Sequence, residues 1–256
     1  MVGFAGESHK PTSTETYPGR WNLALGNVKN SQEYEGFVVD LADIDRADRL
    51  VVIDFEGTGN RPKVRIEMIR SPRSVRLPGV IIEIGAVELL REGSGWRKGE
   101  SFYSKVNPEG PVSHVARGIH GITAGELRKA PRFAELQERF FAFLGERDPI
   151  VAHAIDNERD LLSHELARMR LAQWGEKPLP GRWLCTQTLF AELFPRAPKS
   201  LDAVCDKLSL DRSRRLAGHG ALLDADLTAD ALLIMRDIVS AGFEPEEAVP
   251  WRYARR

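Results

Sequence analysis

A short apolar run that ends in two acids constrains this chain more than any other segment. Residues 50–53 are apolar, and the chain then continues Asp54-Phe55-Glu56-Gly57-Thr58-Gly59. Because a β-strand repeats every two residues, Asp54 and Glu56 project from one face of the predicted strand. Like charges at this spacing repel unless a cation lies between them, so the pair predicts a divalent metal site. An acidic turn after the strand is the alternative from this segment alone.

A histidine and a third acid lie toward the end of the chain. His219 follows a glycine, and Asp224 opens an apolar helical run five residues later. On one regular helix this spacing would leave the two side chains on different sides. We therefore expect His219 in the loop, leaning over a site that Asp224 reaches from the helix. A loop histidine beside a first-turn acid that the helix dipole favours is the plainer alternative.

The middle of the chain supplies further acids. Residues 150–153 are typical of a short buried strand, and a predicted helix follows with Asp156, Glu158 and Asp160 near its start. Acids are common at helix N-termini because of the helix dipole. At least two of these three are therefore expected to be structural or exposed to solvent.

Together these segments resemble the 3′-to-5′ exonucleases of the DEDDh class, the family of the bacterial polymerase proofreading subunit and of RNase T. The resemblance runs from about Arg49 to Asp237. Several separate strings match the family in order. They are Asp54 to Gly59, Val80 to Val87, Asn107-Pro108, Ile119-His120-Gly121-Ile122-Thr123, Ser200 to Cys205, and His219 with Asp224.

The second motif departs from the family pattern. Family members have Ala-His-Asn and then a metal-binding Asp five residues after the His. Here His153 is followed by Ala154, and Glu158 stands at the ligand position. Glu158 is assigned as the ligand because the two leucines after it then match the helix core of the family; its extra methylene shifts the carboxylate by roughly 1.5 Å. The alternatives, in order, are Asp160 and Asp156.

The resemblance implies a two-metal phosphodiester hydrolase. Its ligand set would be Asp54 as the bridging residue, with Glu56, Glu158 and Asp224. Oxygen ligands of this kind suit two Mg²⁺ or Mn²⁺ ions. His219 would act as the general base. The backbone at Gly57 and Thr58 would receive the terminal 3′ hydroxyl. His120 would help to shape the substrate groove, and a capped loop histidine is the alternative for this residue.

The order of predicted elements favours an α/β fold, and the resemblance implies an RNase H-like mixed β-sheet flanked by α-helices. Strands are predicted at 50–55, 80–90, 101–106, 150–153 and about 183–185, with helices from about 124, 131, 186, 200 and 221 and one ending at 171. The predicted domains are a partly disordered N-terminal extension (1–48), the exonuclease domain (49–240) and a C-terminal tail (241–256).

A basic insertion at 60–79 interrupts the exonuclease domain. It carries six Lys and Arg residues against one Glu, an excess of five positive charges. We expect Arg70, Arg73 and Arg76 to contact substrate phosphates, in the manner of sequence-independent, salt-sensitive binding. A solvated loop, or a loop that docks on an acidic partner, is the alternative.

Composition limits the partners and the compartment. The net charge of −1 shows no overall attraction to nucleic acid. The two cysteines, Cys185 and Cys205, lack metal-ligand spacing, and neither a membrane span nor a signal peptide is predicted. We expect a cytoplasmic enzyme acting on single-stranded nucleic-acid 3′ ends without contacting a membrane. The resemblance implies a polymerase, another nucleic-acid-processing assembly or a second copy as partner. DNA and RNA stay open, and a binding module with little catalysis is the alternative function.

Overall fold

A computed structural model of the chain describes residues 44–59, 79–171 and 182–241. Most of the predicted N-terminal extension, nearly all of the basic insertion and most of the C-terminal tail lie outside these ranges. The predictions for Arg70, Arg73 and Arg76 therefore fall outside the described residues. The same holds for residues 1–43 of the predicted extension and 242–256 of the predicted tail.

Five strands form one mixed sheet among the described residues. They are β1 (Arg49–Gly57), β2 (Ile81–Glu92), β3 (Gly95–Lys105), β4 (Ile150–Ala152) and β5 (Trp183–Cys185). Their order is β3-β2-β1-β4-β5; the first three are antiparallel, and β1, β4 and β5 are parallel. The predicted mixed α/β fold is confirmed.

The third strand starts earlier than predicted. Gly95 pairs with Glu92, and Gly93 adopts a φ of 60°, so a two-residue turn joins β2 directly to β3. A glycine with positive φ suits such a hairpin turn. The strand therefore begins at Gly95 rather than at residue 101.

Seven α-helices and one 3₁₀ helix accompany the sheet in the described ranges. They are α1 (His114–His120), α2 (Ala124–Lys129), α3 (Phe133–Leu144), α4 (Asp156–Leu171), α5 (Thr186–Leu193), α6 (Leu201–Lys207), the 3₁₀ helix (Ser213–Ala217) and α7 (Ala221–Ser240). None of these helices is long and apolar enough to cross a membrane. Neither α1 nor the 3₁₀ helix was predicted from the sequence; they span only seven and five residues.

The two faces of β1 enter two different cores. Val51, Ile53 and Phe55 pack into a cluster with the apolar side chains of α3 and α4. Leu50 and Val52 pack into a second cluster with α5 and α7. Since side chains alternate along a strand, the acids at 54 and 56 share the face that is covered by α7. The strand therefore directs both carboxylates toward the helix that carries Asp224.

A glycine lets α7 approach the sheet closely. Gly85 on β2 pairs with Asp54, and a Cβ added at Gly85 would lie 2.1 Å from the backbone carbon of Ala221. No side chain fits at this distance. The first turn of α7 therefore sits directly over the strand pair that carries Asp54.

Candidate active site

One open cleft at the carboxyl ends of β1 and β4 brings the predicted site residues together. Its lining includes all five predicted catalytic residues, and also Gly57 and His120. The five are Asp54, Glu56, Glu158, His219 and Asp224. They reach the cleft from three elements: the end of β1, the first turn of α4, and the loop and first turn of α7.

The first turn of α4 places Glu158 in the cleft. Its side chain is buried, and its Oε2 atom has no hydrogen-bond partner among the described residues. Asp156 and Asp160 are exposed and do not line the cleft. A buried carboxylate oxygen without a partner destabilises the folded protein, so a cation bound at this atom would be stabilising.

The acids on β1 and α4 resist ionisation when no cation is present. Burial, followed by repulsion from Glu158, Asp224 and Glu56, raises the pKa of Asp54 well above its usual value. Burial raises the pKa of Glu158 in the same way, with smaller contributions from Cys185 and Glu56. Burial and the neighbouring Asp224 raise the pKa of Glu56 to about 7. Asp54 is thus subject to repulsion from all three of the other carboxylates.

Asp224 differs from the other acids because it has a cationic partner. The guanidinium of Arg215 donates from Nε to Oδ1 at 2.7 Å and from Nη2 to Oδ2 at 2.9 Å. Both side chains are almost completely buried. A bidentate pair of this kind combines charge with fixed geometry.

His219 lies in the loop before α7, as predicted. Its backbone N–H donates to the carbonyl of Ile119 at 3.3 Å, which ties the loop to α1. Its Nδ1 lies 3.0 Å from Nη2 of Arg215 and 3.8 Å from Oδ2 of Asp224. The ring is 38% exposed, so it can meet a molecule in the cleft.

The start of α7 is held by a side chain from the sheet. Gly220 precedes the helix and has no side chain to cap it, but the Ala221 N–H donates to Oε2 of Glu83 at 3.0 Å. The hydroxyl of Tyr103 donates to the other oxygen of Glu83 at 2.6 Å. Glu83 thus fixes the helix that presents Asp224, a role that sequence reasoning missed.

Two other histidines line the cleft and differ in their bonding. His153 uses both ring nitrogens, with Thr186 Oγ1 at 3.1 Å and the Lys199 carbonyl at 2.8 Å. His120 accepts from the backbone N–H of Ile122 through Nδ1 at 2.9 Å, while its buried Nε2 has no partner among the described residues. Because Nδ1 accepts a hydrogen bond, the ring proton lies on Nε2, and burial lowers the pKa of His120.

The turn after β1 uses its threonine internally. Oγ1 of Thr58 accepts from the Val80 N–H at 3.0 Å, and the Thr58 N–H donates to the Val80 carbonyl at 2.9 Å. Thr58 is buried and does not line the cleft, whereas Gly57 and Gly59 do. The Thr58 side chain therefore closes the turn, and the backbone of the two glycines faces the cleft.

The sequence analysis also missed Arg215. Two consecutive arginines, Arg214 and Arg215, occupy the 3₁₀ helix, and only the second points inward. No period in such a short segment distinguishes them. In the sequence, the feature that could have pointed to a site arginine was that both lie four or five residues before His219.

The residues present fit a divalent cation. One oxygen of Glu56, one ring nitrogen of His219 and one oxygen of Asp224 all lie within 4.8 Å of one another. Glu158 adds a buried oxygen that lacks a partner. A site rich in carboxylate oxygens suits hard ions such as Mg²⁺ and Mn²⁺.

The comparisons with known proteins agree with this site. The family model described as exonuclease, of the RNase T type, matches residues 51–232. The DNA polymerase III subunit epsilon of Pasteurella multocida is 30% identical over 215 residues, which cover 82% of this chain and 78% of that protein. The corresponding subunit of Haemophilus influenzae is 32% identical over 171 residues, which cover 66% of this chain and 63% of that protein.

Solved structures show the same fold at low identity. Exonuclease X in complex with 5′-overhanging duplex DNA matches with a TM-score of 0.52 and 22% identity, over 77% of this chain and 96% of that one. The nuclease domain of 3′hExo, a DEDDh family member bound to rAMP, matches with a TM-score of 0.54 and 19% identity. The match covers 80% of this chain and 98% of that one.

Fold, site and matches define a 3′-to-5′ exonuclease. The chain belongs to the DnaQ-like exonuclease family of the RNase T type, whose members depend on divalent metal ions. The predicted family and enzyme class are confirmed.

Proposed function

We propose that the chain removes nucleotides from the 3′ end of single-stranded DNA with two divalent ions bound by its four cleft carboxylates. The observation that carries the proposal is the convergence of Asp54, Glu56, Glu158 and Asp224 with His219 in one cleft. DNA is favoured over RNA because the relatives described above are named as DNA polymerase subunits. With a complete set of acids, a module that only binds nucleic acid is disfavoured.

The four carboxylates would hold Mg²⁺ or Mn²⁺, with Asp54 between the other three. Bound ions of this kind lower the pKa of a water and neutralise charge on phosphoryl oxygens. The cations would also relieve the repulsion that raises the pKa of Asp54 and Glu56. Metal binding and ionisation of the acids should therefore occur together.

The histidines and the turn act on the substrate directly. His219 is partly exposed at the cleft and would accept the proton of the attacking water, as an imidazole ring nitrogen can do in general base catalysis. The Nε2–H of His120 would donate to a substrate oxygen, since His120 lines the cleft and its Nε2 has no hydrogen-bond partner within the described part of the chain. The backbone at Gly57 would receive the terminal 3′ hydroxyl.

The segments outside the described residues would supply binding and docking. We propose that Arg70, Arg73 and Arg76 contact substrate phosphates, and that residues 1–48 and 241–256 flank the exonuclease domain as docking segments. The name of the relatives, a polymerase subunit, supports a polymerase as the partner. A homodimer stays a prediction.

The direct test is degradation of 5′-labelled single-stranded DNA and its RNA counterpart with Mg²⁺, with Mn²⁺ and with chelator. We expect a ladder that shortens from the 3′ end, requires metal and is faster on DNA. Asp224→Asn should abolish the ladder. Asp226→Asn is the matched control, because Asp226 lies on the same helix but pairs with Lys98 outside the cleft.

Three results would contradict the proposal. An intact substrate under every metal, with a shifted band on a native gel, would make the chain a binding module. Equal loss in Asp224→Asn and Asp226→Asn would attribute the effect to α7 rather than to the cleft. A faster ladder on RNA would reverse the choice of substrate.

A further inference from the structure

The guanidinium of Arg215 lies inside the carboxylate cleft. It lines the cleft, is largely buried, and binds both oxygens of Asp224. Asp224 is one of the four residues expected to bind metal. In the described arrangement the oxygens of Asp224 are therefore already neutralised by a positive charge from the protein itself.

Arg215 has a second carboxylate within reach, and that one lies outside the cleft. Its Nη1 forms a short contact with Oδ1 of Asp202 on α6. The Asp202 side chain is 42% exposed, whereas that of Asp224 is 5% exposed. The guanidinium thus bridges an inner acceptor and an outer acceptor, so it can give up the inner one without losing its charge partner.

Arg215 also constrains His219. An arginine is only a hydrogen-bond donor, so the contact of Nη2 with Nδ1 at 3.0 Å makes Nδ1 the acceptor. The contact therefore occupies the lone pair of Nδ1. The described arrangement is therefore a resting one, in which the proposed base and one proposed metal ligand are both held by the same side chain.

We propose that Arg215 is a positioning residue that acts as the counter-cation of the cleft while no metal is bound. Metal binding then drives an exchange, in which the guanidinium releases Asp224 and keeps Asp202 as its partner. This inference rests on the proposed function, because it takes Asp224 as a metal ligand. The exchange releases Asp224 to the ion and frees Nδ1 of His219 from its contact with Arg215. Without metal, the same contacts keep the two groups in place.

Binding of Mn²⁺ to the metal-free full chain, followed by isothermal titration calorimetry, tests this exchange without measuring hydrolysis. Arg215→Gln removes the competing cation, so its Mn²⁺ affinity should rise by roughly tenfold or more, within the range of typical coupling between sites. Arg214→Gln is the matched control, because the exposed neighbouring arginine carries the same charge on the same 3₁₀ helix. Its affinity should stay within about twofold of the wild type, as expected for a screened surface charge.

A double-mutant cycle separates exchange from simple charge effects. Asp202→Asn removes the outer acceptor, so Arg215 should hold Asp224 more firmly and Mn²⁺ should bind more weakly. In the Arg215→Gln background the same substitution should have little effect. An equal loss in both backgrounds, or an unchanged or weaker affinity in Arg215→Gln, would overturn the proposal.

A second pair of variants keeps the test decisive if Arg215→Gln does not fold. Asp206 lies one turn beyond Asp202 on α6 and binds Arg212 at 2.6 Å rather than Arg215, whereas Asp202 contacts Arg215 and lies 3.6 Å from Arg212. Asp202→Asn should therefore weaken Mn²⁺ binding more than Asp206→Asn, and equal effects would overturn the exchange. If the wild type and Asp224→Asn bind Mn²⁺ equally, the metal site of the proposed function fails as well, and this result is distinct from a failed exchange.

Discussion

Two glutamates on α4, Glu158 and Glu165, allow an acid of the candidate site to be compared with a structural acid on the same helix. They lie seven residues apart, so they face the same side, and both are buried. Glu165 accepts from the Ile81 N–H at 3.0 Å and from Nη1 of Arg168 at 3.0 and 3.1 Å. Glu158 has an oxygen with no partner among the described residues. Partners, rather than burial, distinguish the two roles.

The largest expected effect comes from exchanging the first of these acids. Glu158→Gln should lower the exonuclease rate by on the order of 100-fold or more, as losses of single transition-state stabilising groups do. Its metal-free form should be at least as stable as the wild type, because Gln keeps the size of the side chain and replaces a buried oxygen that has no hydrogen-bond partner among the described residues. Initial rates and thermal denaturation in chelator measure the two quantities.

Glu165→Gln should show the reverse pattern and serves as the control for Glu158→Gln. Loss of the charged partner of Arg168 should lower the free energy of unfolding by roughly 1–3 kcal/mol. Below the melting temperature, Mn²⁺ affinity should be unchanged. If both variants lose rate and stability alike, the distinction between the two turns of α4 does not hold.

The next effect concerns the other side of the cleft, where α7 approaches the sheet. Gly85→Ala places a Cβ against the backbone at Ala221, so the helix must shift. We expect a loss of roughly 1–3 kcal/mol in stability, with weaker Mn²⁺ binding because Asp224 moves with the helix. Gly118→Ala is the control, because a Cβ there meets no atom within 4 Å. Equal Mn²⁺ affinity in Gly85→Ala and wild type would show that the contact does not position Asp224.

The dependence of stability on pH tests the cleft acids whose pKa values are raised, namely Asp54, Glu56 and Glu158. Burial and neighbouring acids raise the pKa of Glu56 to about 7, above its unfolded value. The folded state therefore binds this proton more tightly, so the linked stability is complete below the unfolded pKa and is lost as pH rises through about 7.

We expect the melting temperature of the metal-free chain to fall between about pH 5 and 7.5, by roughly 2–4 °C for each kcal/mol lost. Glu56→Gln should flatten this decline, and Mn²⁺ should offset it. A flat wild-type profile in chelator would contradict the raised pKa values.

The smallest effect concerns the residue after His153. Ala154 adopts a φ of 57°, in the left-handed region that Asn tolerates better than Ala. Ala154→Asn, which restores the family pattern, should raise the free energy of unfolding by roughly 0.5–1 kcal/mol. Ala154→Val should lower it, and chemical denaturation measures both. A less stable Asn variant would show that the cleft disfavours the added amide.

Sequence reasoning succeeded where a pattern has a period or a motif. The alternation at Asp54 and Glu56 gave the strand and its face, and the spacing of His219 and Asp224 gave a loop followed by a helix. Choosing Glu158 over its two neighbours depended on the family resemblance, and the structure places only that acid in the cleft.

The missed features depend on contacts between distant residues. Glu83 lies 138 residues before the helix start that it caps, and nothing local in its strand indicates that partner. Arg215 differs from Arg214 only in the direction in which a short 3₁₀ helix points it. Burial of polar groups by remote segments has no periodic signature in a single sequence.

Because side chains alternate along β1, the number of residues between its start and Asp54 determines which face the acids occupy. Selection should therefore act on the length of this strand. Deleting one residue between Leu50 and Ile53 would turn Asp54 and Glu56 toward the cluster that holds Phe55, and would turn apolar side chains toward α7. Substitutions among these apolar residues preserve the alternation, whereas a one-codon deletion or insertion reverses it. Lineages of this enzyme should therefore vary in the composition of β1 while keeping its length.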